Sequence, residues 1–340
     1  MKNNQLGLFE DMFEVSSCKN IDEEVDKLFG FFREKGFPNY ELNSYNKKIE
    51  IEKIINFNEK EIFQEKDIKQ TMHSLGFLWC FFPHWIEVKC NSAKKSLLEL
   101  WEDDRELKKL IKKTYTWQLK YGNGVFTINR LRQNAKVYLS KQSVSNFRPT
   151  AAKYFYNEYG NNGVVWDMCA GWGGRLFGFL SSNCHTYIGT EPSTKTFNGL
   201  IDLKNEYSYL DKKVILSKQG AEDIIPPKNS LDLCFTSPPY FDCEKYSDEE
   251  TQSYKKYPTK ELWLNGFFRK MIKKCYYGLK KNCYLIINIA NTTKYDWIEN
   301  ETKAICQEEG FLLHDINYLI LSSIAGKGIK REPIFIYKKL

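Results

Sequence analysis

From about residue 147 to its end, the sequence repeats the order strand, turn, helix, and this rhythm limits the folds open to the chain. Buried strands are predicted over GVVWDMCAG, HTYIGTEP, KVILSKQGAED, LDLCFTSPPY and NCYLIINIA, with helices predicted between them. Strands that alternate with helices form a largely parallel sheet with helices on both faces. The last two strands, FLLHDINYLILSS and PIFIYKK, follow each other and indicate an antiparallel hairpin at the sheet edge. In such sheets ligands bind beyond the carboxyl ends of the strands.

The first 145 or so residues differ and are predicted to be mainly helical. A chain of 340 residues suits one large domain and a smaller one. Helices are predicted over residues 21–36, closed by Gly36, over 95–120 and over RLRQNAKVYL. KKIEIEKIINF fits either a strand or a helix, and LGFLWCFFPHWIEV (75–88) is predicted to form the core of this region. We therefore predict two domains, 1–145 and 146–340.

Composition narrows the class of protein. Hydrophobic residues make up 42% and charged residues 27% of the chain, which is ordinary for a globular protein. Because no apolar run reaches about 18 residues, we expect no membrane span, and the amino terminus lacks the apolar core of a signal peptide. The ten cysteines include no CxxC pair and the four histidines are scattered. This pattern argues against disulfides and a metal site, and for free thiols in a cytoplasmic protein.

Basic residues are concentrated in one stretch of the helical region. From residue 105 to residue 148 there are eleven lysines and arginines and one acid. Clustered positive charge favours a polyanionic partner, and Tyr115, Trp117 and Tyr121 lie among the cations. The alternative is a set of solvated helix faces. We predict that this region docks nucleic acid, with phosphates contacted by Lys108, Lys109, Lys112, Lys113, Lys120, Arg130 and Arg132.

A glycine-rich turn follows the first strand of the alternating part, in DMCAGWGGR (167–175). Glycines there let the backbone approach a ligand and expose amides at the start of a helix. The next strand ends in an acid, Glu191, at a position where a carboxylate typically accepts hydrogen bonds from ribose hydroxyls. Together these features indicate an adenosine-containing cofactor, although the spacing does not match the GxGxxG of dinucleotide sites. The alternative for Asp167 is an acid that caps the turn.

The fourth strand ends in Thr236-Ser237-Pro238-Pro239-Tyr240. Prolines cannot donate to a ladder, so the sheet stops and presents a rigid tip. An exocyclic amine is a poor nucleophile because its lone pair is delocalised into the ring of the base. The Ser237 Oγ and the Pro238 carbonyl can accept hydrogen bonds from the two N–H groups of the amine, which makes its lone pair available for attack. Pro239 fixes the turn. Tyr240 offers a face on which a base can stack, worth about 1–3 kcal/mol. The alternative is a polyproline turn.

The order of these segments resembles that of the S-adenosylmethionine-dependent DNA amino-methyltransferases of bacteria and phages. DMCAGWGG resembles their glycine-rich first motif, GTEP their acidic second motif and TSPPY their [DNS]-P-P-[YFW] catalytic motif. KREPIFIYKK resembles their closing hairpin, and NFRPTAAKYFYNEYG resembles an additional cofactor motif. The resemblance covers residues 146–340. It implies the α/β fold of class I methyltransferases, a Rossmann-like mixed seven-stranded sheet with an antiparallel carboxyl-terminal hairpin.

The resemblance also implies roles for individual residues. Catalysis would rest on the tip, Ser237, Pro238, Pro239 and Tyr240. The residues around the methionine part of S-adenosylmethionine would be Asp167, Ala170, Gly171 and Gly173, completed by Phe147, Arg148 and Pro149. Glu191 would hold the ribose and Pro192 would pack on the adenine. The family often has an acid before the alanine of its third motif, where QGAED has Gly220. The adenine amine would then be contacted by the backbone of Ala221, by Glu222 or by Asp223.

The implied activity is methyl transfer to the exocyclic amine of a base in double-stranded DNA. Such a base must be flipped out of the duplex to reach the tip. A serine before Pro-Pro favours cytosine N4 over adenine N6, because members that methylate adenine more often carry aspartate or asparagine there. The alternatives are a methyltransferase acting on RNA or a protein amide, and a non-catalytic nucleic-acid-binding protein with a methyltransferase fold.

Two further segments carry hypotheses. Residues 242–258, DCEKYSDEETQSYKKYP, are too long for a typical connection. We hypothesise a mobile flap that orders over nucleic acid, and the alternative is a surface loop with a short helix. The segment Gln5-Leu6-Gly7-Leu8-Phe9 resembles the pentapeptide by which bacterial proteins dock on the replicative sliding clamp. Its alternative is an apolar anchor on the protein's own core.

Overall fold

The computed structural model describes residues 13–14, 20–90, 95–122, 124–139, 144–322 and 329–340. Its helices are α1 (Ile21–Lys35), α2 (Lys47–Ile55), α3 (Leu75–Trp79), α4 (Leu97–Glu102), α5 (Asp104–Tyr121), α6 (Ile128–Asn134), α7 (Pro149–Tyr159), α8 (Gly174–Leu180), α9 (Thr194–Glu206), α10 (Ser253–Lys256), α11 (Lys260–Trp263), α12 (Arg269–Gly278) and α13 (Ile298–Glu308). Its strands are β1 (Phe13–Glu14), β2 (Phe63–Gln64), β3 (Asp67–Lys69), β4 (Lys89–Cys90), β5 (Val125–Phe126), β6 (Val164–Asp167), β7 (Thr186–Thr190), β8 (Lys213–Ser217), β9 (Leu231–Thr236), β10 (Glu244–Lys245), β11 (Leu279–Asn288), β12 (Phe311–Ser322) and β13 (Ile329–Lys339). The predicted clamp-binding segment, Gln5–Phe9, lies outside the described residues.

The chain divides into two compact units. The first consists of Met1–Tyr45 and Pro83–Val144, and the second of Asn46–Phe82 and Ser145–Leu340. The later boundary lies close to the predicted one at residue 145. Residues 46–82, however, belong to the second unit and not to the amino-terminal region in which the sequence placed them.

Lys153 on α7 shows why residues 46–82 join the second unit. Its side chain is only 6% exposed, and its ammonium group donates to the carbonyls of Ile54, Ile55 and Phe57 at 3.1, 2.9 and 2.8 Å. It also forms an ion pair with Glu59 at 3.2 Å. A cation at the carboxyl end of a helix satisfies carbonyls that have no partner within the helix. The two segments are about a hundred residues apart in sequence, so no local sequence pattern predicts this contact.

The central sheet of the second unit has nine strands in the order β2-β3-β12-β13-β11-β9-β6-β7-β8. The neighbours from β11 to β8 are parallel, whereas β13 runs antiparallel between β11 and β12. The seven strands β6–β9 and β11–β13 form the predicted mixed sheet with its carboxyl-terminal hairpin, so the predicted class I methyltransferase fold is confirmed. The sheet is wider than predicted because β2 and β3 extend it beside β12. Strands of two and three residues are too short to show a periodicity.

The strand order creates one preferred place for a ligand. From β6 the chain moves outward through β7 to β8, and it then returns to place β9 on the other side of β6. The carboxyl ends of β6 and β9 therefore lie side by side where the order reverses, which is the usual ligand site of such sheets. All six residues of β9 are buried, so its end is held firmly by the core.

The first unit is mainly helical, as predicted. Helix α1 ends at Gly36, which has a φ of 78°, and KKIEIEKIINF forms helix α2 in the second unit. The predicted helix over residues 95–120 is two helices, because Asp103 accepts hydrogen bonds from the N–H groups of Arg105 and Glu106 and begins α5. The apolar run 75–88 is shared between the units, since the division falls at Pro83. In the described part of the chain, no helix combines the length and apolarity needed to cross a membrane.

Candidate active site

The turn after β6 has a left-handed backbone at two glycines. Gly171 has a φ of 54° and Gly173 a φ of 73°, a conformation that other residues rarely adopt. A Cβ on Gly173 would also lie 2.9 Å from Leu203 Cδ2 and 3.1 Å from the Phe82 ring. A Cβ on Gly171 would meet no atom closer than 3.7 Å. The backbone at Gly171 therefore has free space beside it on the scale of one carbon atom.

Asn146 holds the far end of this turn, although the sequence did not single it out. Its buried side chain donates from Nδ2 to the Trp172 carbonyl at 2.7 Å and accepts the Gly174 N–H at 3.1 Å. The next residue, Phe147, is buried, and its carbonyl would lie 2.0 Å from a Cβ on Gly174. The segment before α7 therefore packs directly on the glycine turn, and the cofactor role of Phe147 stays a prediction.

Arg148 and Pro149 lie beside this contact but serve the fold. Arg148 donates to the Gln70 side chain at 3.2 and 2.7 Å and to the Asn146 carbonyl at 2.6 Å. Burial lowers the pKa of Arg148 from its ordinary value. Pro149 is the first residue of α7, where a missing N–H costs nothing. The guanidinium of Arg148 is thus committed to the protein's own acceptors.

Asp167 ends β6, and its carboxylate is almost completely enclosed. Oδ2 accepts from Arg175 Nε and from the Tyr187 hydroxyl, both at 2.8 Å, and Oδ1 accepts from the Thr236 hydroxyl at 2.9 Å and the Cys169 N–H at 3.3 Å. Four donors use the acceptor sites of a carboxylate. In this structure Asp167 holds the turn in place, which matches the alternative of a turn-capping acid more closely than direct contact with a cofactor.

Glu191 ends β7 and reaches back to the same turn. Its Oε2 accepts the Gly171 N–H at 3.1 Å, and its Oε1 accepts the Ser193 N–H at 2.9 Å. Burial raises the pKa of Glu191 to about 7, against the lowering effect of these two backbone hydrogen bonds. Each oxygen keeps a lone pair, so the carboxylate can still accept hydrogen bonds from a ligand. Pro192, which follows, is partly exposed.

The end of β8 leads to Ala221 and Glu222, which are both buried. Glu222 Oε1 accepts from Lys256 Nζ at 2.6 Å, while Oε2 is buried without a hydrogen-bond partner among the described residues. The Asp223 side chain is exposed and pairs with the same lysine at 2.8 Å. The family often has an acid where this chain has Gly220, and Glu222 and Asp223 are the two acids that could replace it. Of these two, Glu222 has a buried oxygen that lacks a hydrogen-bond donor among the described residues.

The tip after β9 is tied to the glycine turn through Thr236. Its hydroxyl donates to Asp167 and accepts the Cys169 N–H at 3.0 Å. Pro238 is buried, whereas Ser237 and Pro239 are partly exposed. The structure therefore brings the predicted catalytic residues and the predicted cofactor turn to adjacent strand ends.

Tyr240 is anchored from the closing hairpin. Its hydroxyl donates to the carboxylate of Glu332 on β13. Desolvation and the charge of Glu332 raise the pKa of Tyr240 well above its ordinary value, so the tyrosine keeps its proton. Glu332 lies in KREPIFIYKK, but the sequence offered no sign of its partner.

The residue after the tip is strained and enclosed by aromatic rings. Phe241 has a φ of 59°, a left-handed conformation that is costly for a bulky side chain. Its ring centre lies 5.8 Å from that of Trp263, 5.4 Å from Tyr295 and 6.3 Å from Trp297. Burial of this cluster stabilises a backbone shape that the chain would otherwise avoid, so the tip is held in one conformation.

Residues 242–258 lie across the three strand ends just described. Glu249 accepts from the Thr194 N–H at 2.9 Å and from its hydroxyl at 2.7 Å. Thr251 donates to the Pro192 carbonyl at 3.3 Å, and Lys256 binds Glu222. The amino end of α9 is thus capped by Glu249, because the Ser193 side chain at the N-cap position forms no capping hydrogen bond. In this structure the segment is a surface loop with a short helix, α10, and its ordering over nucleic acid stays a hypothesis.

The predicted nucleic-acid-binding cations all lie in the first unit, but several already have partners. Lys108 pairs with Asp26 at 2.7 Å, Lys109 with Glu106 at 2.6 Å and Lys112 with Asp22 at 2.6 Å. Arg132 donates to the Asn39 carbonyl at 3.2 Å, whereas Lys113 is exposed. Lys120 and Arg130 lie over the rings of Tyr121 and Trp117. Tyr115, one of the interleaved aromatic residues, is fully buried and cannot meet a ligand.

Comparisons with known proteins give weak similarities. No protein-family profile matches the chain, and no curated protein sequence matches it. Among solved structures, it is similar to the [4+2]-cyclase SpnF (TM-score 0.41, 12% identity, 56% of this chain and 81% of the other). It is also similar to a SAM-dependent O-methyltransferase from Thermotoga maritima (TM-score 0.39, 13% identity, 61% and 71%) and to M. jannaschii TYW2 in complex with AdoMet (TM-score 0.37, 15% identity, 58% and 78%). At these values the neighbours do not assign a reaction, and the fold follows from the strand order itself.

In the part of the chain that is described, no group of three or more histidine, cysteine or acidic side chains is placed to hold a metal ion.

Proposed function

We propose that the protein is an S-adenosylmethionine-dependent DNA methyltransferase that modifies the exocyclic amine of a flipped base, with cytosine N4 favoured over adenine N6. The observation that carries the proposal is the junction of two adjacent strand ends. The Ser237–Tyr240 tip follows β9, the glycine turn follows β6, and the Thr236 hydroxyl joins them by donating to Asp167 at 2.9 Å. Acceptors for an amine and a backbone cradle for a cofactor therefore meet at one edge of the sheet.

The strand ends fit S-adenosylmethionine in three respects. The Glu191 carboxylate retains lone pairs that suit the two hydroxyls of a ribose. Glu222 Oε2 is a buried acceptor without a partner among the described residues, and an adenine amine would supply the missing donor. The methionine part would lie beside Gly171, where the backbone has free space on the scale of one carbon atom. When bound, the cofactor would supply an electrophilic methyl group.

The tip would prepare the amine for attack. Ser237 Oγ and the Pro238 carbonyl would accept hydrogen bonds from the two N–H groups of the amine. These hydrogen bonds would shift the nitrogen lone pair away from the ring. The Tyr240 ring provides a stacking surface, and Glu332 holds that ring by its hydroxyl. Because the methyl donor is a strong electrophile, orientation contributes most of the rate and no strong general base is required.

Three features support DNA as the substrate class. The first unit carries a concentration of basic residues, which favours a polyanion. TSPPY resembles the catalytic motif of the DNA amino-methyltransferases, and its serine favours cytosine. RNA and protein amides are the competing substrates, and families that act on them more often carry asparagine before Pro-Pro.

Mass spectrometry of nucleosides tests the proposal directly. DNA from cells that express the protein should contain N4-methylcytosine, and the Ser237→Ala variant should lose the signal while calorimetry still shows cofactor binding. Ser208→Ala is a matched control, because Ser208 is an exposed serine just beyond the carboxyl end of α9 and is not part of the tip. N6-methyladenine would reassign the base, and methylated RNA alone would reassign the substrate. A protein that binds the cofactor but methylates neither nucleic acid would refute the proposal.

A further inference from the structure

Five of the seven predicted nucleic-acid-binding cations of the first unit fall into two groups with different surroundings. In the amino-terminal half of α5, Lys108, Lys109 and Lys112 each form an ion pair with a carboxylate. At the carboxyl end of α5 and in α6, Lys120 and Arg130 lie over aromatic rings. No carboxylate within the described ranges forms an ion pair with either of these two cations.

Pairing neutralises the first group. Asp22 and Asp26 project from α1 and meet Lys112 and Lys108 at 2.6 and 2.7 Å. A phosphate that approached this face would meet as many carboxylates as ammonium groups, so its net attraction would be small. These lysines join α1 to α5, which explains their presence without a nucleic acid.

The second group forms a small aromatic platform, made of Trp117, Lys120, Tyr121 and Arg130. The Arg130 guanidinium lies 3.7 Å from the centre of the Trp117 ring, and Lys120 Nζ lies 5.0 Å from that of Tyr121. The two rings are 5.8 Å apart. Tyr121 is 63% exposed, which is unusual for so large an aromatic side chain.

Of the two rings, that of Tyr121 is exposed and that of Trp117 is partly exposed. Cations beside accessible aromatic rings are a combination that binds nucleic acids. The positive groups contact phosphates, and the rings stack on bases that have left their neighbours. Base flipping creates such unstacked bases next to the site of modification. We propose that the aromatic platform is the surface by which the first unit contacts DNA, while Lys108 and Lys112 serve the packing of α1 on α5 and Lys109 pairs with Glu106 within α5. The inference rests on the proposed function, because it takes DNA as the ligand.

Binding of a fluorescently labelled DNA duplex, measured at several salt concentrations, tests the platform. The variant Lys120→Gln/Arg130→Gln and the control Lys108→Gln/Lys112→Gln each lose two positive charges. We expect the first pair to reduce the slope of log affinity against log salt by about 2, since each phosphate contact contributes about 0.9. The control pair should leave the slope unchanged. Tyr121→Ala should weaken binding to a duplex with one unpaired base by about five- to a hundredfold.

The outcomes distinguish failure of the inference about the aromatic platform from failure of the proposed function. Equal loss in both charge pairs, or a larger loss in the control, would overturn the inference, as would unchanged binding by Tyr121→Ala and the first pair together. Failure of the wild-type protein to bind any DNA would instead refute the proposed function and the inference with it. Circular dichroism of each variant checks folding, and Tyr121 is exposed enough for its replacement to leave the core intact.

Discussion

Replacement of Asp167 by asparagine tests whether this residue holds the glycine turn in place or contacts a cofactor directly. Asp167 and Arg175 form an ion pair at 2.8 Å whose side chains are 1% and 6% exposed. Burial alone would lower the pKa of Arg175, but Asp167 raises it above its ordinary value. Because a guanidinium group does not lose its proton in proteins, Arg175 stays charged in the asparagine variant, where it is buried and lacks the Asp167 counter-charge.

The expected cost follows from that geometry. Removal of one partner of a buried ion pair costs about 3–5 kcal/mol of unfolding free energy, because the remaining charge is neither solvated nor paired. The Tyr187 and Thr236 hydroxyls would also lose a charged acceptor. The double variant Asp167→Asn/Arg175→Met removes both charges, so it should recover at least about 2 kcal/mol of that loss.

Urea denaturation followed by circular dichroism measures these differences for the wild type, both single variants and the double variant. A coupling energy near zero, with the single effects adding to within about 0.5 kcal/mol, would refute the reasoning. Calorimetry with S-adenosylmethionine on the folded double variant then separates the two roles. Retained binding indicates that Asp167 positions the glycine turn, whereas loss of binding in a stable protein indicates direct contact with the cofactor.

Three other predictions follow from the same site. Burial raises the pKa of Glu191 from 4.5 to about 7, so its protonation stabilises the fold by about 3 kcal/mol below pH 4.5, and this contribution disappears as the pH rises through 7. In denaturation curves measured from pH 4 to 8, Glu191→Gln should reduce the fall of the unfolding free energy with rising pH. An unchanged fall would contradict the assignment of this pH dependence to Glu191. Glu332→Gln and Tyr240→Phe should lower kcat by similar factors with little change in cofactor affinity, and a loss confined to one of them would argue against a shared hydrogen bond. Glu249→Gln should expose residues 242–258 to limited proteolysis by weakening the contact with Thr194, and a cutting rate equal to that of the wild type would exclude this clasp.

The arrangement of residues 242–258 links substrate access with the cofactor site. The segment begins at the tip and then contacts the ends of β7 and β8 through Glu249, Thr251 and Lys256. Any movement that opened it over a nucleic acid would also release these contacts. Opening of such a flap therefore has a physical cost, because it would break the two hydrogen bonds of Glu249 with Thr194 and the ion pairs of Lys256 with Glu222 and Asp223.

Much of the second unit could be predicted because its signals are local. Strand and helix periodicity, the glycine turn and the Pro-Pro stop act over a few residues, and they led to the sheet, the hairpin and the positions of Glu191 and Ser237. Asn146 was missed because an asparagine in a loop has many roles, and only its contacts with Trp172 and Gly174 distinguish it. Lys153 was missed because a lysine in a helix is normally exposed.

The sequence alone determined the order of the elements, the class of fold and the identity of the residues at each strand end, because near neighbours dictate periodicity, turns and caps. The tertiary structure decided which charges cancel and which remain available. Asp167 is paired with Arg175, and Lys108 and Lys112 are paired with carboxylates of α1. Glu222, by contrast, has one oxygen with no hydrogen-bond partner in the described part of the chain. Such pairings depend on segments that are distant in the chain and meet only in the folded protein, so charge counted along the sequence overestimates the charge that a ligand encounters.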